Sequence, residues 1–84
     1  MIRDEIAEIY DDGLLFVDPP YFDAAIVGVV QQFDHATVCY STKKVIEILV
    51  EHDGMDYDEA LEYFQFNIIG AWVGENTPSF LEEL

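Results

Sequence analysis

Residues 52 to 70, HDGMDYDEALEYFQFNIIG, constrain the fold more than any other stretch of the chain. Gly54 is the residue type that most readily ends a helix in the left-handed conformation. Two residues on, Asp56 and Glu59 stand in the Asp-x-x-Glu spacing of a capping box, which satisfies backbone N–H groups that a helix start leaves without partners. Asp58 adds a further acid to that first turn, where the helix dipole favours negative charge. One helix therefore ends at Gly54 and another starts after Asp56. In the second, Tyr57, Ala60, Leu61, Phe64 and Ile68 recur at helical spacing and line one face, and Gly70 marks its end.

Upstream, Ser41 or Thr42 supplies the cap of TKKVIEILVEH. Val45, Ile48, Leu49 and His52 form its inner face. Lys43 and Glu47 stand four apart, as a pair worth only a few tenths of a kcal/mol. The apolar run ATVCY before it reads as a strand.

The N-terminal half is less sharply marked. RDEIAEIY reads as a short leading helix through Ile6 and Ile9, and LLFVD as a strand stopped by Pro19 and Pro20. Asp23 is placed to cap a helix in which Phe22, Ile26, Val29, Val30 and Phe33 form one apolar stripe. The β-branched content of AAIVGVV keeps a strand open as the alternative. Near the C-terminus, AWVG reads as a short extended piece, ENTPSF as a turn and FLEEL as a frayed end. A right-handed crossover would set the first two strands parallel. The expected fold of residues 1–84 is a single small α+β domain, a sheet of about two to three strands packed by about three helices.

Charge bounds the function. Eighteen acids against three bases give −15, spread along the chain and not gathered in a tail. With 51% of residues apolar, the chain can still build a core and need not stay disordered. A chain this short buries only about 60% of its unfolded surface, so stability is expected to be modest. Such a surface repels nucleic acid and anionic lipid and attracts basic clefts. Direct nucleic-acid binding would have to rest on Arg3, Lys43 and Lys44 alone. The acidity has three readings: solubility, a high-salt habitat, or a surface selected for a basic partner. A lone cysteine, Cys39, forms no disulfide within the chain and fits a reducing cytoplasm. No apolar run approaches the roughly 18 residues of a membrane span, and the acidic MIRDEIAEIYDD argues against a secretory or mitochondrial leader.

Asp18-Pro19-Pro20-Tyr21, following an apolar run, resembles the catalytic loop of amino-methyltransferases that modify adenine in DNA. There the Asp and the backbone hold the target amino group while Tyr stacks on the base. The Gly-rich cofactor turn of that fold is missing here, and the charge opposes duplex DNA. The motif therefore reads as a strand end and a helix entry, with no methylation expected. Asp53, Asp56, Asp58 and Glu59 cluster as calcium ligands do, but the EF-hand spacing is absent and Gly54 is misplaced for it. His35 and His52 lack a zinc-ligand pattern. Cys39 reads as a buried, inert thiol. Ser41 and Ser79 sit in no nucleophile elbow, and no glycine loop cradles phosphate. No catalytic, cofactor-binding or metal residue is expected, and the chain does not read as an enzyme.

What remains is a second apolar set on the third helix: Tyr63, Phe66 and Ile69, beside Asp58, Glu59 and Glu62. Their three-residue spacing sends them in neighbouring directions. Either this helix is buried between two layers, or these side chains form a contact surface. A small domain seldom covers a helix on every side. That favours a contact surface centred on Phe66, in the simplest case a twofold homodimer.

Over residues 54 to 78 the chain resembles a family of short proteins encoded in phages and prophages. The shared pattern is Ala60 to Phe64, Phe66-Asn67, Gly70-Ala71, Val73 to Glu75 and Thr77-Pro78. A looser likeness runs back through KVIEIL and AAIVGVV. The resemblance carries no catalytic or binding residues with it. It implies a phage setting inside a host cytoplasm, where small acidic proteins inhibit nucleases and CRISPR complexes by placing carboxylates where phosphates would sit. The expected function is such an inhibitor, a nucleic-acid mimic that binds a basic host protein or nucleoprotein complex and not nucleic acid or membrane. Asp56, Asp58, Glu59, Glu62, Tyr63, Phe66 and Ile69 are the expected contacts, with no cofactor. The alternative is a non-enzymatic phage accessory or structural module, as a homodimer.

Overall fold

The computed structural model describes residues 2–10, 14–33, 35–71, 74 and 76–83. Helix α1 spans Ile2–Tyr10, and a 3-10 turn covers Pro20–Ala25. Strands β1, Ile26–Gln32, and β2, His35–Ser41, follow. Helices α2, Thr42–Asp53, and α3, Tyr57–Tyr63, come next; α3 runs into a π turn over Phe64–Ile68, and strand β3, Ser79–Leu81, closes the series. The strands form a mixed sheet in the order β1-β2-β3, with β1 and β2 antiparallel and β2 and β3 parallel. This is a small α+β fold.

The helix boundaries follow from local chemistry. Ser41 caps α2: its Oγ accepts from the Lys44 N–H at 3.3 Å. At the other end Gly54 takes φ +72°, a left-handed conformation that only glycine adopts without strain, and its N–H reaches back to the Leu49 carbonyl. At the start of α3 both halves of the capping box form. The Glu59 N–H donates to Asp56 Oδ1 at 2.8 Å, and the Asp56 N–H donates to Glu59 Oε1 at 3.3 Å. Further on the helix widens. The Ile69 N–H bonds the Phe64 carbonyl five residues back at 2.8 Å, the signature of π geometry.

The core gathers around β2. Val38 and Tyr40 have no exposed surface, and Val45 and Leu49 of α2 close over them. Ala60 and Phe64 join from the α3 side, with Phe22, Ala25 and Ile6 from the N-terminal part. Phe80 of β3 packs edge-on to Phe64 with ring centroids 5.2 Å apart. Ile9, in contrast, is exposed on α1, and Tyr57 and His52 lie outside the faces that periodicity assigned them.

Several expected elements are corrected. Residues 14–17 form no strand. Their backbone is served by side chains instead: the Val17 N–H donates to the Tyr40 hydroxyl at 2.8 Å, and Arg3 Nη2 donates to the Val17 carbonyl at 3.4 Å. Residues 26–32 are strand, not helix, because β2 lies two residues beyond and offers a hairpin partner, with Gln32 opposite His35. The expected pairing of LLFVD with ATVCY therefore does not form, and the hairpin sets β1 and β2 antiparallel. A parallel pair does occur, between β2 and β3, with α2 and α3 in its connection. The expected frayed end contains β3, anchored by Phe80. Of AWVG, residues 72 and 73 lie outside the described residues, and Ala71 and Gly74 belong to no strand.

Asp23 caps nothing. It is buried, and Arg3 grips it from α1 through Nε–Oδ2 at 2.9 Å and Nη2–Oδ1 at 2.8 Å. Among the described residues, no helix is long and apolar enough to cross a membrane.

Candidate protein-interaction surface

The structure divides the four singled-out acids into two pairs. Asp56 and Glu59 are occupied as the capping box. Asp58 and Glu62 are exposed and make no side-chain hydrogen bond or ion pair among the described residues. All four lie on or beside the exposed side of α3, so their negative charge faces solvent.

The second apolar set is also at the surface. Phe66 is 75% exposed, Ile69 52% and Tyr63 41%. From Tyr63 to Ala71 the sequence, YFQFNIIGA, carries no charge. Equal three-residue steps predict neighbouring directions, yet the side chains fan apart. Tyr63 borders a pocket of about 260 Å³ shared with Tyr21, Asp53 and Asn67. Ile69 borders a different, larger groove of about 640 Å³. Phe66 lines neither and is the most exposed of the three. The π turn explains the spread: a turn closed by an i to i+5 bond is wider, so a step of three residues falls further short of a full turn.

Pairing inside the fold leaves the surface with few cations but does not change its net charge, because the Arg3–Asp23 pair is neutral as a unit. Of the three bases, Arg3 is committed to Asp23, which raises the guanidinium pKa through their hydrogen bond. Lys43 and Lys44, exposed in the first turn of α2, are the two remaining cations.

Tyr21 and Asp53, which line the small pocket, form with His52 a cluster that the sequence did not signal. The Tyr21 ring stacks on His52, centroids 3.9 Å apart, and its hydroxyl donates to Asp53 Oδ1 at 3.2 Å. His52 Nδ1 lies 3.4 Å from the same oxygen. A tyrosine, a histidine and an aspartate together look like acid–base machinery. Desolvation and then the Asp53 hydrogen bond hold the Tyr21 phenol above its ordinary value, however, so it stays protonated at neutral pH. The residues from Asp18 to Tyr21 are 32 or more positions from Asp53, which is why local motif reading could not join them. Asp18 is largely exposed and lies 3.8 Å from Arg3 Nη1 as a loose ion pair, and Tyr21, the position expected to stack on a base, is held by His52.

Cys39 is buried in β2, and no group of three or more metal-ligating side chains is found among the described residues. What the arrangement presents is exposed carboxylates followed along the chain by exposed, uncharged aromatic and aliphatic side chains. Compared with family models, curated proteins and solved structures, the chain matches none.

Proposed function

We propose that this chain is a phage-encoded, acidic, protein-binding inhibitor that occupies a basic nucleic-acid-binding cleft of a host defence complex. The observation that carries the reading is the juxtaposition on α3 and its π turn. Asp58 and Glu62 are exposed and make no side-chain hydrogen bond or ion pair among the described residues, and the exposed apolar side chains of Tyr63, Phe66 and Ile69, spread around the uncharged segment, follow directly. Carboxylates steer a basic partner and set the register, and the aromatic ridge supplies contact area. The free cations, Lys43 and Lys44, are too few to oppose a basic cleft or to bind phosphate themselves. The phage setting comes from the likeness over residues 54 to 78. The inhibitor needs no cofactor and performs no chemistry.

A second reading is a homodimeric accessory module. It is favoured by the charge-free run from Tyr63 to Ala71, the part of this helix where two copies at −15 can approach without like charges meeting.

The test is capture from host-cell extract on immobilised protein, repeated with excess duplex DNA. Recovery of a nucleic-acid-binding protein that DNA displaces supports the mimic. Recovery of nothing but the chain itself supports the dimer, and capture indifferent to DNA removes the mimic reading.

A further inference from the structure

We propose that the groove beside Ile69 receives a basic amphipathic helix from a partner protein, a proposal that rests on the reading above for the premise of a basic partner and shares Ile69 with it. The groove, of about 640 Å³, runs between α2, α3 and the end of β3. Its floor is apolar: Ile46 and Val50 from α2, Leu61 and Phe64 from the α3 side, and Phe80 from β3. Its rim is acidic. Glu47 and Glu51 stand one helical turn apart on α2, and Glu82 and Glu83 follow β3. Lys43 is the one base on the rim.

That pairing selects the occupant. A helix with an apolar stripe at i, i+3, i+4 and i+7 fills a groove of this kind, and lysines or arginines flanking the stripe would meet the glutamates. A small polar ligand would find little to orient it. Ile46, Val50, Leu61, Phe64 and Phe80 carry no hydrogen-bonding groups, the neutral polar lining is limited to Thr42, Tyr57 and Gln65, and no buried side-chain polar atom among the described residues lacks a partner. A second copy of this chain would bring acid against acid, and nucleic acid would bring phosphate against the same rim. The site is separate from Asp58, Glu59 and Glu62, none of which lines it.

The test uses two fluorescein-labelled synthetic peptides of identical leucine and lysine composition. In one the leucines form a helical stripe; in the other they are scattered. Anisotropy titrations at physiological salt are expected to show the striped peptide binding at least tenfold tighter. Ile69→Asp should lower its affinity at least tenfold, although the change adds attraction for a cation. Glu47→Lys with Glu51→Lys, at exposed helix positions, should give a similar loss without altering an apolar residue. Asp58→Asn with Glu62→Gln should leave peptide binding unchanged. Equal binding of the two peptides overturns the proposal. So does wild-type affinity in the Glu47→Lys, Glu51→Lys protein, which decides the matter even if Ile69→Asp unfolds. Peptide binding that persists when DNA fails to displace the captured partner would remove the mimic reading and leave the groove. The converse would remove the groove alone.

Discussion

Arg3 and Asp23, twenty residues apart, are joined by two parallel hydrogen bonds of 2.9 and 2.8 Å. The aspartate is buried, and the guanidinium also lies over the Phe16 ring, 4.5 Å from its centroid. This fork ties α1 to the turn that precedes the sheet, and it removes one of three bases from the surface.

Removing one partner should therefore be costly. Asp23→Ala leaves Arg3 without its carboxylate and is expected to destabilise the fold by about 2–3 kcal/mol, less than a fully buried pair because Arg3 is partly exposed. For a domain of this size that lowers the melting temperature by roughly 10–20 °C. Replacing both residues by apolar ones should cost much less than the sum of the single changes, a coupling that a double-mutant cycle in urea measures directly.

Tyr40 sets an alkaline limit. Burial raises its phenol above the ordinary value of 10.0, outweighing the Val17 N–H bond that lowers it. Below that value the phenol is neutral in both folded and unfolded chains. Above it the unfolded chain ionises first, so stability is present below about pH 10 and is lost as pH rises through the folded pKa. Tyr21 shifts in the same direction. Urea unfolding across a pH series should show a plateau and then a decline above about pH 10. Tyr40→Phe should be less stable on the plateau by about 1–3 kcal/mol, since the Val17 N–H loses its acceptor, but it should decline less steeply.

Capping and binding can be separated among the four acids. Asp56→Ala should cost about 1 kcal/mol by removing the cap. Asp58→Asn and Glu62→Gln should each stay within about 0.5 kcal/mol of the parent, because both side chains are exposed and neither makes a hydrogen bond or ion pair among the described residues. Thermal unfolding followed by circular dichroism distinguishes the two classes.

Legibility in the sequence tracked distance along the chain. Ser41, Gly54, Asp56 and Glu59 were readable because each acts on backbone within a few residues of itself. Residues 26–32 were misread because Ile26, Val29, Val30 and Phe33 satisfy a helical stripe as well as a strand, and pairing with β2 decided between them. The role of Asp23 was hidden because its partner lies at position 3. Tyr63, Phe66 and Ile69 were identified as surplus to the core and are exposed, but their divergence depends on a π turn that spacing alone does not disclose. The groove combines residues from α2, α3 and beyond β3, and the frayed end expected over FLEEL concealed one of its walls.

Phe66 is expected to act at the surface and not in the core. At 75% exposure, Phe66→Asp should leave the melting temperature within a few degrees of the parent. If the ridge is the anchor, the same change should weaken partner capture by about 2 kcal/mol, roughly thirtyfold. Light scattering on both proteins reads the dimer at once: a mass that halves in the variant identifies self-association.

The most direct measurement is the association rate of the captured partner with the wild-type chain and with the Asp58→Asn, Glu62→Gln variant, over salt from about 50 to about 500 mM, where the screening length shrinks from beyond 10 Å to a few ångström. Steering by carboxylates predicts a wild-type rate that falls steeply with salt, and a variant rate that starts several-fold lower and falls less. Rates that coincide and stay flat across the series would contradict the account.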